Sequence, residues 1–171
     1  MSTLLQKSSK KSLIREYGEA LLVALVLAFV IRTFVVQAYK IPSESMVETL
    51  LVGDHLLASK FAYGIKIPFT HSYIYRGDDP AYGDIIIFEY PNDPSVDYIK
   101  RVIGLPGDHI TFRDGYTYVN DEKLAEGYVI EQGVTDSNPT EFNVPEGHIF
   151  LMGDNRPGSY DCRAFSQPYI P

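Results

Sequence analysis

Residues 97 to 108 read DYIKRVIGLPGD, and this stretch decides the class of fold. Its first half contains the β-branched and aromatic residues that favour a strand, and the Gly, Pro and Asp residues that follow are typical of a turn. Alternation along a strand places Tyr98 and Lys100 on one face and Ile99 and Arg101 on the other. The stretch therefore predicts a strand that ends in a tight turn.

The same pattern continues through most of the chain. Short apolar or aromatic runs alternate with Gly, Pro, Asp and Asn about every ten residues, which is typical of an all-β domain. The predicted strands are 54–61, 84–90, 97–103, 109–113, 116–119 and 148–152. Asp114 and Gly115 predict a hairpin turn, and the segments 67–81 and 127–145 predict surface loops. The predicted fold class is mainly β, an antiparallel β-domain behind a single N-terminal helix.

An apolar segment precedes this domain. Residues 20–31 are apolar without interruption, Arg32 and Thr33 follow, and Phe34, Val35 and Val36 are apolar again. As a helix, residues 20–39 would reach about 30 Å, roughly the thickness of the hydrocarbon core of a bilayer. Basic residues before the segment predict a cytoplasmic N-terminus. We therefore expect a basic cytoplasmic tail at 1–16, a transmembrane anchor at 17–39 and an extracytoplasmic β-rich domain at 40–171.

Two other interpretations of the apolar segment stay open. A basic start, a short apolar run and the residues Val36-Gln37-Ala38 are also typical of a cleavable signal peptide. A buried helix in the core of a soluble domain would have a similar composition.

Composition excludes some classes of function. The 171 residues carry a net charge of −7, and the acidic excess lies in the part after Lys40, so nucleic acid is a poor candidate partner. Cys162 is the only cysteine, so an intrachain disulfide is impossible.

Two serines directly follow the apolar segment and are candidate nucleophiles. Residues 41–46 read IPSESM, which places Ser43 and Ser45 in a turn that begins with proline. A serine needs a neighbouring base, most often histidine, but none of the four histidines (His55, His71, His109 and His148) lies in a recognisable triad context. Lys100 is the alternative base, provided that burial lowers its pKa by several units.

Four segments, in this order, resemble the motifs of bacterial type I signal peptidases. They are IPSESM at 41–46, GDIIIF at 83–88, YIKRVIGLPGD at 98–108 and GDNR at 153–156, with Ser159 and Asp161 following. The resemblance implies a membrane-bound serine endopeptidase that removes signal peptides from exported preproteins. It implies a single-pass protein of the bacterial cytoplasmic membrane, with the N-terminus in the cytoplasm and the catalytic domain on the outer side.

The resemblance also implies a role for each matching residue. Ser45 is expected to be the nucleophile and Lys100 the general base. The other implied roles are the oxyanion hole for Ser43 and Ser45, orientation of the lysine for Ser159, a supporting ion pair for Asp161 and Arg163, and a substrate pocket for Ile41, Met46, Tyr98 and Ile99. No metal or cofactor is implied. The implied partners are signal peptides of the Ala-x-Ala type and the lipid bilayer, and the protein is expected to be monomeric.

The sequence departs from the family pattern at several positions. Glu44 stands where glycine is common and Cys162 where serine is common, and Ala164-Phe165-Ser166 replaces a pattern that ends in Trp-Gly. Family members normally continue beyond the position of Pro171 with a further strand, so the β-domain is expected to be a short variant or to be truncated there. Two other functions stay open: a self-cleaving Ser/Lys protein of the same fold, and a non-catalytic membrane-anchored β-domain that binds exported chains.

Overall fold

The computed structural model describes residues 13–59, 62, 65–66, 73–75, 77–131 and 133–171. Most of the predicted basic tail, with Lys7, Lys10 and Lys11, lies outside these residues, as does His71. The helical elements are α1 (Leu13–Val30) and a π-helical turn (Ile31–Val35). The strands are β1 (Val36–Lys40), β2 (His55–Ser59), β3 (Ile65–Lys66), β4 (Tyr73–Tyr75), β5 (Ile85–Tyr90), β6 (Asp93–Gly104), β7 (His109–Arg113), β8 (Tyr116–Val119), β9 (Glu122–Lys123), β10 (Glu141–Asn143) and β11 (Phe150–Met152).

These strands form antiparallel sheets, as the sequence predicts. The central sheet has the order β11-β6-β5, and a second sheet has the order β10-β7-β8-β9. Two-stranded sheets pair β1 with β2 and β3 with β4. The prediction of a mainly β, antiparallel fold is therefore confirmed.

The long strand β6 and the turn after it connect the two larger sheets. Leu105 donates its backbone N–H to the Asp108 carboxylate at 2.6 Å, which closes the turn that leads into β7. The hairpin between β7 and β8 turns at Asp114 and Gly115, whose φ angles of 53° and 76° are those of a type I′ turn. Both turns lie where the sequence predicts them.

A buried apolar cluster lies between the two larger sheets. Its innermost side chains are those of Val102, Ile103, Ile110, Phe150 and Leu151, each at most 1% exposed. Truncation of such a side chain to alanine typically costs about 2–5 kcal/mol. The second half of β6 is therefore rigidly held, and Lys100 lies at the edge of this packed region.

The N-terminal helix ends earlier than predicted. A continuous helix through Tyr39 is wrong, because α1 ends at Val30 and residues 36–40 form β1, which pairs with β2 from Val36↔Ser59 to Lys40↔His55. Thr33, Val35 and Val36 are β-branched, which weakens a helix and favours a strand once a partner is available. Within the described residues, we find no helix with the combined length and apolarity needed to cross a membrane.

Several strand boundaries also differ from the predicted ones. β6 begins four residues before the predicted 97, and β11 begins at Phe150 where 148 was predicted. β9 and β10 have only two and three residues, and β10 lies inside a segment predicted as loop. Such short strands form through pairing with distant neighbours and leave no period in the sequence.

Candidate active site

The turn that carries the two serines is fixed at its base by backbone hydrogen bonds. Ile41 donates its N–H to Asp54 O at 2.9 Å, and Gly53 donates to Ile41 O at the same distance. Inside the turn, Leu50 donates its N–H to Met46 O at 2.7 Å. Ser45 is buried, with 6% exposure, and Met46 is completely buried. Ser45 is therefore held in one position at the end of β1.

Lys100 lies opposite Ser45 on the central sheet. Its Nζ is 2.6 Å from Ser45 Oγ and 3.1 Å from Ile99 O, and only 1% of the residue is exposed. Across the sheet, Lys100 is paired with Ile86 of β5. Residues 55 positions apart in the chain are thus brought into direct contact in a nearly dry environment.

Burial is the main influence on the protonation of Lys100. It lowers the pKa of the lysine from 10.5 to about 8. Asp161, Cys162 and Asp154 act in the opposite direction, and Arg163 adds to the lowering. A lysine with such a pKa is neutral in an appreciable fraction of molecules near neutral pH, and it can then accept a proton.

The two other serines of the predicted site, Ser43 and Ser159, differ in their position relative to Ser45 and Lys100. Ser43 is exposed, with its Oγ 3.4 Å from Ser45 Oγ. Ser159 Oγ is buried, and among the described residues it has no hydrogen-bond partner, so the contact with Lys100 that the resemblance implies is not made in this structure. Ser159 is nevertheless close to the site, because Gly153 separates its side chain from Ser45 O.

Asp161 and Arg163 form a bidentate ion pair in the segment that follows Ser159. Arg163 Nε donates to Asp161 Oδ1 and Arg163 Nη2 donates to Asp161 Oδ2, both at 2.9 Å. The side chain of Arg163 is 9% exposed and that of Asp161 is completely buried. Asp161 also accepts the N–H of Gly153 at 3.0 Å. The pair therefore supports the backbone of the 153–163 segment.

The four residues expected to line the substrate pocket fall into two groups. Ile41 and Met46 are buried, whereas Tyr98 and Ile99 are half-buried. The Tyr98 ring centroid lies 5.3 Å from Lys100 Nζ, in agreement with the strand alternation. A cleft of about 460 Å³ is lined by Ser159 and other residues, but it includes neither Ser45 nor Lys100.

Asn155 and Asp154 contact the turn that carries Ser43 and Ser45, which the sequence alone did not reveal. Asn155 donates its backbone N–H to Ser45 O and its Nδ2 to Glu44 O, both at 3.1 Å. Asp154 accepts a hydrogen bond from Thr49 Oγ1 at 2.5 Å. Both residues lie in the GDNR segment, one of the four that carry the family resemblance, but the resemblance did not indicate which atoms they contact.

Arg101 joins this contact from the opposite face of β6. Its Nε and Nη2 donate to the two carboxylate oxygens of Asp154 at 2.8 and 2.6 Å, and its Nη1 donates to Gly83 O at 2.8 Å. The guanidinium also lies over the Tyr128 ring at 4.1 Å. Asp154 is completely buried, so Arg101 neutralises a charge that water cannot reach.

Replacing Arg101 with alanine is expected to destabilise the protein by about 3–5 kcal/mol, because it leaves the Asp154 carboxylate buried and unpaired. Denaturant unfolding measures the change. Arg113→Ala is the matched control, because Arg113 also pairs with an aspartate and lies 4.1 Å from a tyrosine ring, but at the surface. That change is expected to cost about 1 kcal/mol or less. Equal losses in the two variants would contradict the role given to the buried pair.

The described histidines lie in other contacts. His109 is 3.5 Å from Glu141, His148 Nδ1 is 3.1 Å from Glu146 O, and His55 lies in β2 opposite Lys40. Within the described residues, we find no cluster of three or more His, Cys, Asp or Glu side chains suited to a metal ion. The titratable side chain in contact with Ser45 Oγ is thus that of Lys100.

Comparison with known proteins identifies the family. Residues 14–171 match the family model described as signal peptidase, peptidase S26. The signal peptidase I of Pseudomonas aeruginosa is 37% identical over 98% of this chain and 69% of its own length, and that of Pseudomonas fluorescens is 36% identical over 99% and 69%. A crystal structure of a signal peptidase I from Enterococcus faecalis aligns with 31% identity and a TM-score of 0.45, over 54% of this chain and 90% of that one. The chain therefore belongs to the S26 family of signal peptidases, which are peptide hydrolases.

Proposed function

We propose that this chain is a membrane-bound serine endopeptidase that cleaves signal peptides from exported preproteins, with Ser45 as nucleophile and Lys100 as general base. The observation that carries the proposal is the 2.6 Å distance between Ser45 Oγ and the Nζ of a lysine that is 1% exposed. A serine hydroxyl attacks a peptide bond at a useful rate only when a base accepts its proton. Lys100 is the group within hydrogen-bond reach that can do so.

The proposed reaction proceeds in two steps. Neutral Lys100 accepts the Ser45 proton as Oγ attacks the scissile carbonyl, and the resulting ammonium gives that proton to the leaving amine of the mature chain. Lys100 is then neutral again, and it takes a proton from a water molecule that attacks the acyl-enzyme. The C–O bond to Ser45 breaks, the signal peptide leaves as a carboxylic acid, and Ser45 recovers its proton.

Ser43 and the Ser45 amide are proposed to bind the oxyanion. Ser43 Oγ lies 3.4 Å from the nucleophilic oxygen, within reach of an oxygen that develops beside it. A preorganised donor at such a position is worth about 3–4 kcal/mol in the transition state. Ser159 is proposed to orient the lysine amine. Its Oγ is buried and has no hydrogen-bond partner among the described residues, so it is available for that contact.

The substrate is proposed to bind as an extended strand. Main-chain hydrogen bonds to a strand edge provide affinity, and alternate side chains enter pockets. The half-buried Tyr98 and Ile99, next to Lys100, and the buried Ile41 and Met46, next to Ser45, are proposed to line those pockets. Small pockets with such walls favour Ala-x-Ala sites.

The proposal places the domain on the outer side of the bacterial cytoplasmic membrane, anchored by the helical part of the segment 17–39, which ends at Val35, with the tail 1–16 in the cytoplasm. The apolar side chains of α1 support anchoring because they are exposed in this chain: Leu21, Leu22, Leu25 and Phe29 are each at least 60% exposed. Such a surface is favourable in a lipid environment and unfavourable in water. The domain is proposed to act as a monomer.

Cleavage of a preprotein by the purified chain in detergent tests this function. The wild type is expected to release the mature protein, and Ser45→Ala is expected to lower kcat/KM by at least about 10³-fold, since no other group replaces the nucleophile. Ser95→Ala is the control, because Ser95 is an exposed serine near the start of β6 whose hydroxyl hydrogen-bonds, among the described residues, to Asp93. It should retain full activity. Substantial cleavage by Ser45→Ala would exclude Ser45 as the nucleophile.

A further inference from the structure

A cluster of five aromatic rings packs beside Lys100, and we call it the aromatic cover. It consists of Phe88, Tyr90, Tyr98, Tyr160 and Phe165. The Phe165 centroid lies 5.0 Å from that of Tyr90, 5.1 Å from that of Tyr160 and 5.9 Å from that of Tyr98. These separations are in the favourable range for aromatic pairs. Phe165 is therefore the centre through which the 160–165 segment packs on the central sheet.

Tyr98 connects the aromatic cover to Lys100. Its ring centroid lies 5.3 Å from Lys100 Nζ, and its ring meets that of Tyr90 at 5.0 Å and 84°, an edge-to-face contact. Phe165 packs against Tyr98 as well. The position of the Tyr98 ring thus depends on the rings behind it.

Hydrogen bonds at the surface tie the two halves of the aromatic cover together. The hydroxyl oxygens of Tyr90 and Tyr160 are 3.2 Å apart, and Asn92 Nδ2 donates to Tyr90 Oη at 2.9 Å. Asn92 Nδ2 also donates to Ser166 Oγ at 2.9 Å. The turn between β5 and β6 is in this way joined to both ends of the 160–166 segment, which carries Asp161 and Arg163.

We propose that Tyr160 and Phe165 are positioning residues for the general base: Phe165 directly, and Tyr160 through Tyr90 and Phe165, hold the Tyr98 ring against Lys100 and so exclude water from the amine. This inference rests on the proposed function of Lys100 and adds residues that act through it. Tyr160 stands between Ser159 and Asp161, so the same short segment carries the proposed lysine-orienting hydroxyl, two rings of the aromatic cover and the buried ion pair. Loosening the cover is expected to let water reach Nζ.

Electrostatic forces on Lys100 come from several elements. Asp161, Cys162 and Asp154 raise its pKa, Arg163 lowers it, and Ser45 Oγ is its neutral neighbour. Burial outweighs all of these. A substitution in the aromatic cover that changes none of the charges should therefore act through burial alone. If water reaches the amine, the lysine pKa moves back toward that of an exposed lysine.

The pH dependence of kcat/KM for preprotein cleavage by the purified full chain in detergent tests the inference. Tyr160→Ala is expected to move the midpoint of the acid limb to higher pH by about half a unit or more, which lowers kcat/KM at pH 7 by at least about 3-fold. Tyr160→Phe keeps the ring and is expected to keep the midpoint within about 0.2 units. Tyr118→Ala, the same truncation on β8, removes a ring stacked on Arg113 outside the aromatic cover and is the matched control.

Two variants together test the positioning role. Tyr160 is about half exposed, so its truncation is compatible with folding, and Phe165→Leu provides a second test in which a shift in the same direction is expected. An acid limb that stays in place in both variants, while the wild type shows one, overturns the positioning role and leaves the Ser45–Lys100 proposal intact. A wild type that cleaves without an acid limb, or a Lys100→Ala variant that cleaves normally, overturns the proposed function and this inference with it.

Discussion

Lys100→Ala is expected to lower kcat/KM for preprotein cleavage by about 10³-fold at temperatures where the variant is fully folded. Removing a positioned general base typically costs a factor of about 10²–10⁴. Lys100 is 1% exposed, so its truncation to alanine also leaves a cavity and is expected to cost about 2–5 kcal/mol of stability. Lys100→Met fills most of that volume without a charge, so it should lose activity to the same extent while its stability stays closer to that of the wild type. A stable but inactive Lys100→Met variant would not be produced by a purely structural lysine.

The pH profile of the wild type tests the same role. Below its pKa of about 8, Lys100 is mostly protonated and cannot accept the Ser45 proton, so kcat/KM should rise about tenfold per pH unit at acid pH and level off above about 8. The charged variant Lys100→Arg is expected to be as inactive as Lys100→Ala, because arginine stays protonated.

Lys123→Ala is the matched control for the loss of a lysine. Lys123 is exposed, lies in β9 and stacks 3.2 Å from the Tyr116 ring centroid, so its removal should leave activity unchanged. An active Lys100→Ala variant, combined with loss of activity on substitution of a histidine such as His148, would assign the base to histidine and refute the Ser/Lys pair.

The sequence predicts the local elements of this fold well and the long-range ones poorly. The strand with Lys100, the turn that follows it and the Asp114-Gly115 hairpin depend on neighbouring residues, and the structure has all three. The helix gives way to a strand because residues 36–40 pair with β2, and β2 lies about twenty residues further along the chain than they do. A stretch of apolar residues does not by itself distinguish a helix from such a strand.

The same distinction applies to the candidate site. Alternation placed Tyr98 and Lys100 on one face of β6, but only the resemblance to a family suggested that Ser45 lies opposite them. The pairing of Arg101 with Asp154 was not predicted, because alternation gives a face and not a partner 53 residues away. Asn155 donates its backbone N–H to Ser45 O. A contact of this kind leaves no trace in side-chain chemistry, so sequence patterns cannot reveal it.

Gly153→Ala is expected to lower kcat by about 10²-fold, with KM much less affected. A Cβ at this position would lie 2.5 Å from Ser45 O and 2.6 Å from Ser159 Cβ, and it would also clash with Ser159 Oγ. Carbon atoms are not tolerated at such distances, so one side must move. Ser45 O belongs to the backbone of the proposed nucleophile, and a displacement of about 1 Å at a reacting group costs roughly that factor in rate.

Gly127→Ala separates this steric effect from the general effect of replacing glycine. A Cβ at Gly127 meets no atom within 4 Å, so that variant should keep its activity. Overpacking at Gly153 is also expected to cost about 1–3 kcal/mol of stability, which unfolding measurements record separately from kcat. The fall in kcat should persist at temperatures where both variants are fully folded, because it originates in the position of Ser45 and Ser159 and not in the folded fraction. A Gly153→Ala enzyme with wild-type kcat would mean that Ser45 and Ser159 can be displaced without loss of activity. The close packing of Gly153 between them would then have no role in catalysis.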